Sequence, residues 1–257
     1  MENVRYPQHD FPTAIVKEVA HRPWPIPRRP WVMTQTWHDL LFAHWPVAAE
    51  SLAPLVPSPF ELDLFEGRAW LGIVPFVMTN VAPRGVPALP GLSSFPELNV
   101  RTYVRVGGRP GVYFFSLDAA SVAAVQAARL LLCLPYYSAS MTVARSLTGV
   151  HYRSRRRGKS PSHEFVATYG PTGPVFKAEP GSLEYFLAER YCLYGRDHRA
   201  RPYRLEIHHP PWPLQRAEAA IERNSMASIA GISLSAVPPV QHFAKRQDTV
   251  AWLPTRV

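Results

Sequence analysis

Between Pro96 and Val106 the chain alternates residue by residue. Leu98, Val100, Thr102, Val104 and Val106 form one set, and Glu97, Asn99, Arg101, Tyr103 and Arg105 form the other. A strand sends successive side chains to opposite faces, so this spacing predicts a strand on which Glu97, Asn99 and Arg101 project together. A carboxylate, an amide and a guanidinium side by side suit a solvated sheet face or the polar lining of a barrel. Residues 111–118 follow as a strongly apolar strand. Residues 119–134 read as a helix, its apolar positions interrupted by Gln126 and Arg129. The helix should stop before Pro135, because proline disfavours helix in the residue that precedes it. Residues 138–143 read as the next strand.

The remaining pattern consists of short segments bounded by Pro and Gly. Strands are expected at 31–37, 203–208, 214–221 and 249–253. Hairpins are expected at 61–65 with 68–77, across Glu66-Gly67, and at 149–157 with 163–169, across a basic turn. Helices are expected at 46–55, at 182–193 with Ser182 as N-cap, and at 224–230 before Gly231. The Pro/Gly-rich stretch 82–94 suits a lid or binding loop. Residues 1–29 read as an irregular leader and 30–257 as a single domain. Many short strands with few helices predict a mainly β domain with flanking helices, barrel-like in architecture.

Composition narrows the functional classes. The chain has 257 residues, of which 47% are hydrophobic and 12% aromatic, enough for a substantial core. Its 28 prolines favour turns over long helices. The net charge of +9 favours anionic partners, but no nucleic-acid motif accompanies it. No run approaches the roughly 18 apolar residues of a membrane span, and the first 22 residues lack the apolar core of a secretion signal. Two cysteines, Cys133 and Cys192, give neither a disulfide framework nor a zinc pattern. A cytoplasmic protein without cofactor, metal, membrane or nucleic-acid partner is the expectation; homo-oligomerisation stays open.

The order strand, hairpin, strand, helix, Pro turn, strand resembles the core of the acetoacetate decarboxylase superfamily, an antiparallel β-barrel fold. In that family a glutamate sits near the start of a barrel strand, and a Phe-Pro-Lys-Lys turn delivers a Schiff-base lysine. The resemblance places Glu97 at the glutamate, Asp118 at the aspartate before the helix, Arg129 at the helix arginine and Leu134-Pro135 at Phe-Pro. The two lysine positions hold Tyr136 and Tyr137. A phenol cannot form an imine, so the amine-dependent route is not available from this turn. The chain has only four lysines, Lys17, Lys159, Lys177 and Lys245, and none lies near this segment in sequence. The segments 37–45, 97–104, 134–136, 189–194 and 207–212 together resemble the YqjF-like family of uncharacterised bacterial proteins in the same superfamily.

Five residues emerge as candidates. Glu97 and Tyr136 would act on a ligand as acid/base and hydrogen-bond donor. Arg101, Arg129 and Arg190 would hold an anionic group. A buried carboxylate is costly unless paired, so Glu97 is expected to contact one of these arginines or to accept several hydrogen bonds. Glu97 and Arg101 also admit a purely structural ion pair, and Tyr136 could simply fill the space of the lost lysine. His208-His209 and His38 with His44 lack standard zinc spacing. Three functions remain open: a cofactor-independent lyase- or hydrolase-like enzyme on an oxo- or carboxylate-containing metabolite, a non-catalytic small-molecule-binding protein, and a scaffold with a basic surface.

Overall fold

The structure is a computed structural model that describes residues 2–3, 6, 11–89, 93–147, 149–158, 163–234 and 240–257. In chain order its strands are β1 (Glu2–Asn3), β2 (Met33–Val47), β3 (Glu61–Leu62), β4 (Ala69–Pro83), β5 (Phe95–Val106), β6 (Arg109–Ala119) and β7 (Tyr136–Ser146). They continue as β8 (Gly149–Arg156), β9 (Glu164–Pro171), β10 (Cys192–Arg196), β11 (Pro202–His208), β12 (Leu214–Asn224), β13 (Val240–Ala251) and β14 (Thr255–Arg256). The α-helices are α1 (Ala49–Leu52), α2 (Val122–Leu132) and α3 (Leu183–Ala188).

β5 occupies the alternating segment and lies between β4 and β6, antiparallel to both. From there the sheet closes on itself twice. One circuit runs β7–β8–β9–β12–β13–β2–β4–β5–β6 and returns to β7. The other runs β13–β2–β4–β5–β6–β10–β11 and returns to β13. The domain is single, mainly β and ring-like. Two contacts depart from an all-antiparallel barrel: β6 runs parallel to β7 and to β10. The β6–α2–β7 connection explains the first, since a helical crossover returns the chain in its original direction.

Several elements differ from their sequence expectations. β2 and β13 are much longer than the segments 31–37 and 249–253. Leu40, Leu41, Phe42 and Ala43 are all buried, so the middle of β2 shows no alternation to read. Asp39, at φ 49°, marks a register shift between His38 and Ala43. The turn Glu66-Gly67 has φ of 49° and 74°, the positive pair expected of a tight hairpin turn. The short strand before it nevertheless pairs with β5 rather than β4.

α3 stops at Ala188 instead of reaching 193. Glu189 leaves the helix at ψ 71°, and its carboxylate accepts bonds from the Trp212 backbone N–H at 2.8 Å and from the Tyr191 hydroxyl. Cys192 therefore begins β10 instead of ending a helix. The helix expected at 224–230 is a 3-10 turn, Met226–Ala230. Among the described residues before position 30, Ile15 is buried against Val250 and Trp252, and Arg22 pairs with Glu206 at 3.1 Å. Parts of the 82–94 loop and of the basic turn after Arg157 lie outside the described residues. Among the described residues no helix is long and apolar enough to cross a membrane.

Candidate functional site

The inward positions of β5 line a cavity of ≈ 440 Å³, and Glu97, Asn99 and Arg101 all face it. The strand is pinned there by Tyr152, whose hydroxyl donates to the Glu97 backbone carbonyl at 2.7 Å. α2 covers the cavity with Ala124, Ala127, Ala128 and Leu131. These are spaced i, i+3, i+4, i+7, which is one face of a helix. Ser121 caps the helix, accepting from the Ala124 N–H at 3.3 Å. Cys133, at φ 51°, ends it in the left-handed conformation, and the chain turns through Leu134-Pro135 into β7.

Tyr136, the first residue of β7, lies in register with Leu117 of β6. Its hydroxyl donates to Glu97 Oε2 at 2.9 Å. Glu97 is 3% exposed. Burial, together with the nearby charge of Asp118, pushes its carboxyl up to about 8, against the opposing effect of the tyrosine hydrogen bond. At neutral pH it is mostly the protonated acid. Burial and the carboxylate also push the Tyr136 phenol well above its usual range. Among the described residues no arginine contacts Glu97. The expected ion pair with Arg101, Arg129 or Arg190 is not formed, and a single phenol stands in its place.

Arg101 lies in the same cavity without an acidic partner among the described residues. Nη2 donates to the Leu187 carbonyl at 3.3 Å, and the guanidinium lies over Phe42 and Tyr103, 5.3 and 5.7 Å from the ring centroids. Its Nε is buried without a partner. Arg190 also lines the cavity, but it is already neutralised: Nη1 contacts Asp63 Oδ2 at 2.6 Å and Nε donates to the Phe186 carbonyl at 2.6 Å. Arg129 is exposed and is not among the lining residues. It falls off the 124–127–128–131 face, which its spacing from Pro135 could not reveal.

Three further lining residues add polar groups to the candidate site, Asn99, Trp212 and His209. Asn99 Oδ1 and Trp212 Nε1 are both buried without a hydrogen-bond partner, so an acceptor and a donor join the unpaired Nε of Arg101. His209 stacks on Tyr191 at 4.7 Å, and burial pushes its imidazole down to about 4. Its Nδ1 and Nε2 lie against the Pro210 and Arg190 carbonyls at 2.8 and 3.2 Å, so the ring lines the cavity with its nitrogens engaged, while His208 turns away to the Ile15 carbonyl at 2.9 Å. Asn99 was legible from strand parity. His209 and Trp212 lie far from β5 in sequence, and no spacing linked them to it.

The described lysines, Lys17, Lys177 and Lys245, are exposed, and none lines the cavity. Lys159 lies outside the described residues. Residues 34–248 match the family model DUF2071, described as an uncharacterized conserved protein. This chain belongs to the DUF2071 family. It is 46% identical to the uncharacterized protein YqjF of Bacillus subtilis (strain 168) over 227 residues, covering 88% of this chain and 93% of that protein.

Solved structures similar to this DUF2071 member share its fold at low identity. The enduracididine biosynthesis enzyme MppR complexed with pyruvate has a TM-score of 0.60 at 10% identity, covering 91% of this chain and 93% of that one. An acetoacetate decarboxylase-like enzyme from Sphingomonas wittichii RW1 has 0.60 at 13%, covering 92% and 97%. The acetoacetate decarboxylase from Legionella pneumophila has 0.58 at 14%, covering 98% of both chains. The acetoacetate decarboxylase-like fold is thereby established for this DUF2071 chain, and these likenesses carry the fold alone.

Proposed function

We propose that the protein is a cofactor-independent small-molecule pocket protein whose ligand carries an oxo or carboxylate group. Arg101 holds the anionic oxygen, and the Glu97–Tyr136 pair supplies acid/base chemistry beside it. The carrying observation is the pairing pattern within one cavity. Among the described residues Glu97 meets a phenol and no cation, and Arg101 meets aromatic rings and a carbonyl but no carboxylate. A carboxyl pushed up to about 8 by burial is poised near neutrality, where general acid/base groups work best. With Tyr136 at the turn and no lysine among the described lining residues, the chemistry is proton transfer to or from a carbonyl compound rather than imine formation.

Thermal-shift screening of oxo acids and carboxylates, followed by turnover assays on each hit, tests this reading. Arg101→Ala should abolish the ligand-induced shift. Glu97→Gln should keep the shift and lose turnover. A hit that stabilises the protein equally in the parent and in Arg101→Ala would overturn it. The replacement of the turn lysine by Tyr136 favours a second reading, a binding protein without turnover. Arg101-dependent binding with no reaction of any hit would establish that alternative. Incubation with acetoacetate and borohydride, read by mass spectrometry, should leave all four lysines unmodified. A covalent adduct with loss of activity would show that another amine has taken over.

A further inference from the structure

We infer that the ligand of this cavity is amphiphilic, a carboxylate or oxo head at β5 carrying an apolar tail of about ten carbons. The inference rests on the functional reading above and goes beyond it by naming the tail. Three observations carry it.

The first is capacity. A cavity of ≈ 440 Å³, at roughly 30 Å³ per water-sized group, holds about 15 non-hydrogen atoms. A short oxo acid of about six or seven such atoms would leave half of it unfilled, and unfilled apolar walls forfeit their dispersion contacts.

The second is the uneven distribution of polarity. The polar groups of β5 occupy three successive inward positions, Glu97, Asn99 and Arg101. Around Tyr136 the wall is built by Phe76, Phe95 and their neighbours. A separate apolar cluster, with Leu132, Leu193, Leu205 and Ile207, lines the same cavity. Of the other polar lining side chains, Arg190 already has a partner in Asp63, Gln35 in Trp37 and His209 in the Pro210 and Arg190 carbonyls, so two apolar clusters with one strip of unmatched polar groups match a ligand with one polar end.

The third is the rim. Leu131 and Leu253 both line the cavity yet are 78% and 57% exposed. Large apolar side chains held in solvent at a cavity mouth suit the entry of an apolar chain.

The test is calorimetric titration with straight-chain carboxylates from butanoate to dodecanoate, each below its micelle concentration, and with decanol as the uncharged control. Affinity should rise about fourfold per added methylene, the value expected for burying a CH₂, and level off near ten to twelve carbons. Arg101→Ala should weaken every carboxylate by a similar factor. Ala128→Trp, which fills the cavity from α2, should weaken decanoate at least tenfold and leave butanoate unchanged. The length series on the unaltered protein decides the matter even if that variant fails to fold. Equal affinity from butanoate to decanoate, still dependent on Arg101, would end the tail inference and leave the anion pocket standing. Decanol binding as tightly as decanoate, with no effect of Arg101→Ala, would keep the tail and end the anion reading. Absence of binding by the whole series would overturn both.

Discussion

Glu97 and Asp118 are buried carboxyls on neighbouring strands, one residue apart in register, since Asp118 pairs with Leu98. Burial raises the pKa of both. Their surroundings then diverge. Asp118 faces away from the cavity and meets Arg156, with Nη2–Oδ1 at 2.5 Å and Nε within 3.2 Å of both oxygens. That guanidinium in turn lies 3.7 Å from the Tyr137 ring centroid. Glu97 faces the cavity, and among the described residues its carboxyl is hydrogen-bonded by Tyr136 alone. The two tyrosines of one turn thus serve opposite sides of β7, one the ion pair and one the cavity. The arginines repeat the contrast, with Arg190 matched by Asp63 and Arg101, among the described residues, matched by no acid. Where charge is balanced the group is architectural. Where a group beside the cavity has no such partner among the described residues, the proposed function assigns it to the ligand.

The sharpest way to break this comparison is to unbalance the balanced pair. Arg156→Ala strands Asp118 as an uncompensated buried charge and should destabilise the fold by about 3–5 kcal/mol, read by urea denaturation. A loss below about 1 kcal/mol would mean that Asp118 is no more constrained than Glu97.

Glu97 should show itself next, through pH. Its folded pKa is raised from 4.5 to about 8, so between those values the folded state binds more protons than the unfolded one. Its contribution to stability is full below pH 4.5 and is lost as pH rises through 8. Relative to Glu97→Gln, the parent should lose a few kcal/mol of stability between pH 5 and 9. Identical pH profiles for the two proteins would show that Glu97 is not perturbed.

Much of this site was legible in the sequence, for physical reasons. Strand parity is strict, so Glu97, Asn99 and Arg101 had to share a face once β5 formed. The turn after α2 is fixed by Pro135, so Tyr136 had to open the next strand. Which face of α2 meets the cavity was not legible. Alanines at 124, 127 and 128 carry no chemistry to mark them, whereas Arg129 carries a charge and lies off that face. Pairing was hidden as well. Asp63 with Arg190 and Asp118 with Arg156 join residues far apart in sequence, and only the doubly closed sheet brings them together. The same closure buries both faces of β2 and so erases the alternation that would have marked its length.

Arg101→Ala comes third. It breaks no ion pair, so the unliganded protein should lose only about 1 kcal/mol, from the guanidinium's contacts with Phe42 and Tyr103. Binding of a carboxylate should weaken by about 1.5–3 kcal/mol, the size of a charge-assisted hydrogen bond. Equilibrium titration and thermal melting of the same variant separate the two. Destabilisation on the scale of Arg156→Ala, with unchanged binding, would make Arg101 architectural and remove it from the site.

The smallest expected effect belongs to Tyr136→Phe, and it tests what the tyrosine is for. The ring stays, so the space of the turn remains filled and packing against Phe76 and Phe95 is kept. Only the hydroxyl's bond to Glu97 is lost, at about 1 kcal/mol for a neutral hydrogen bond. That bond is the one interaction holding the Glu97 pKa down against burial and Asp118. Removing it should raise the pKa further, so the fall in stability, which starts at the unfolded value of 4.5, should continue to a higher pH before it levels off. A space-filling tyrosine predicts instead an unchanged pH profile with full stability. The two outcomes separate in a single series of denaturation curves between pH 6 and 10. An upward shift ties Tyr136 to the proton on Glu97, whereas a profile superimposable on the parent's would leave Glu97 as a lone buried acid and the phenol as filler.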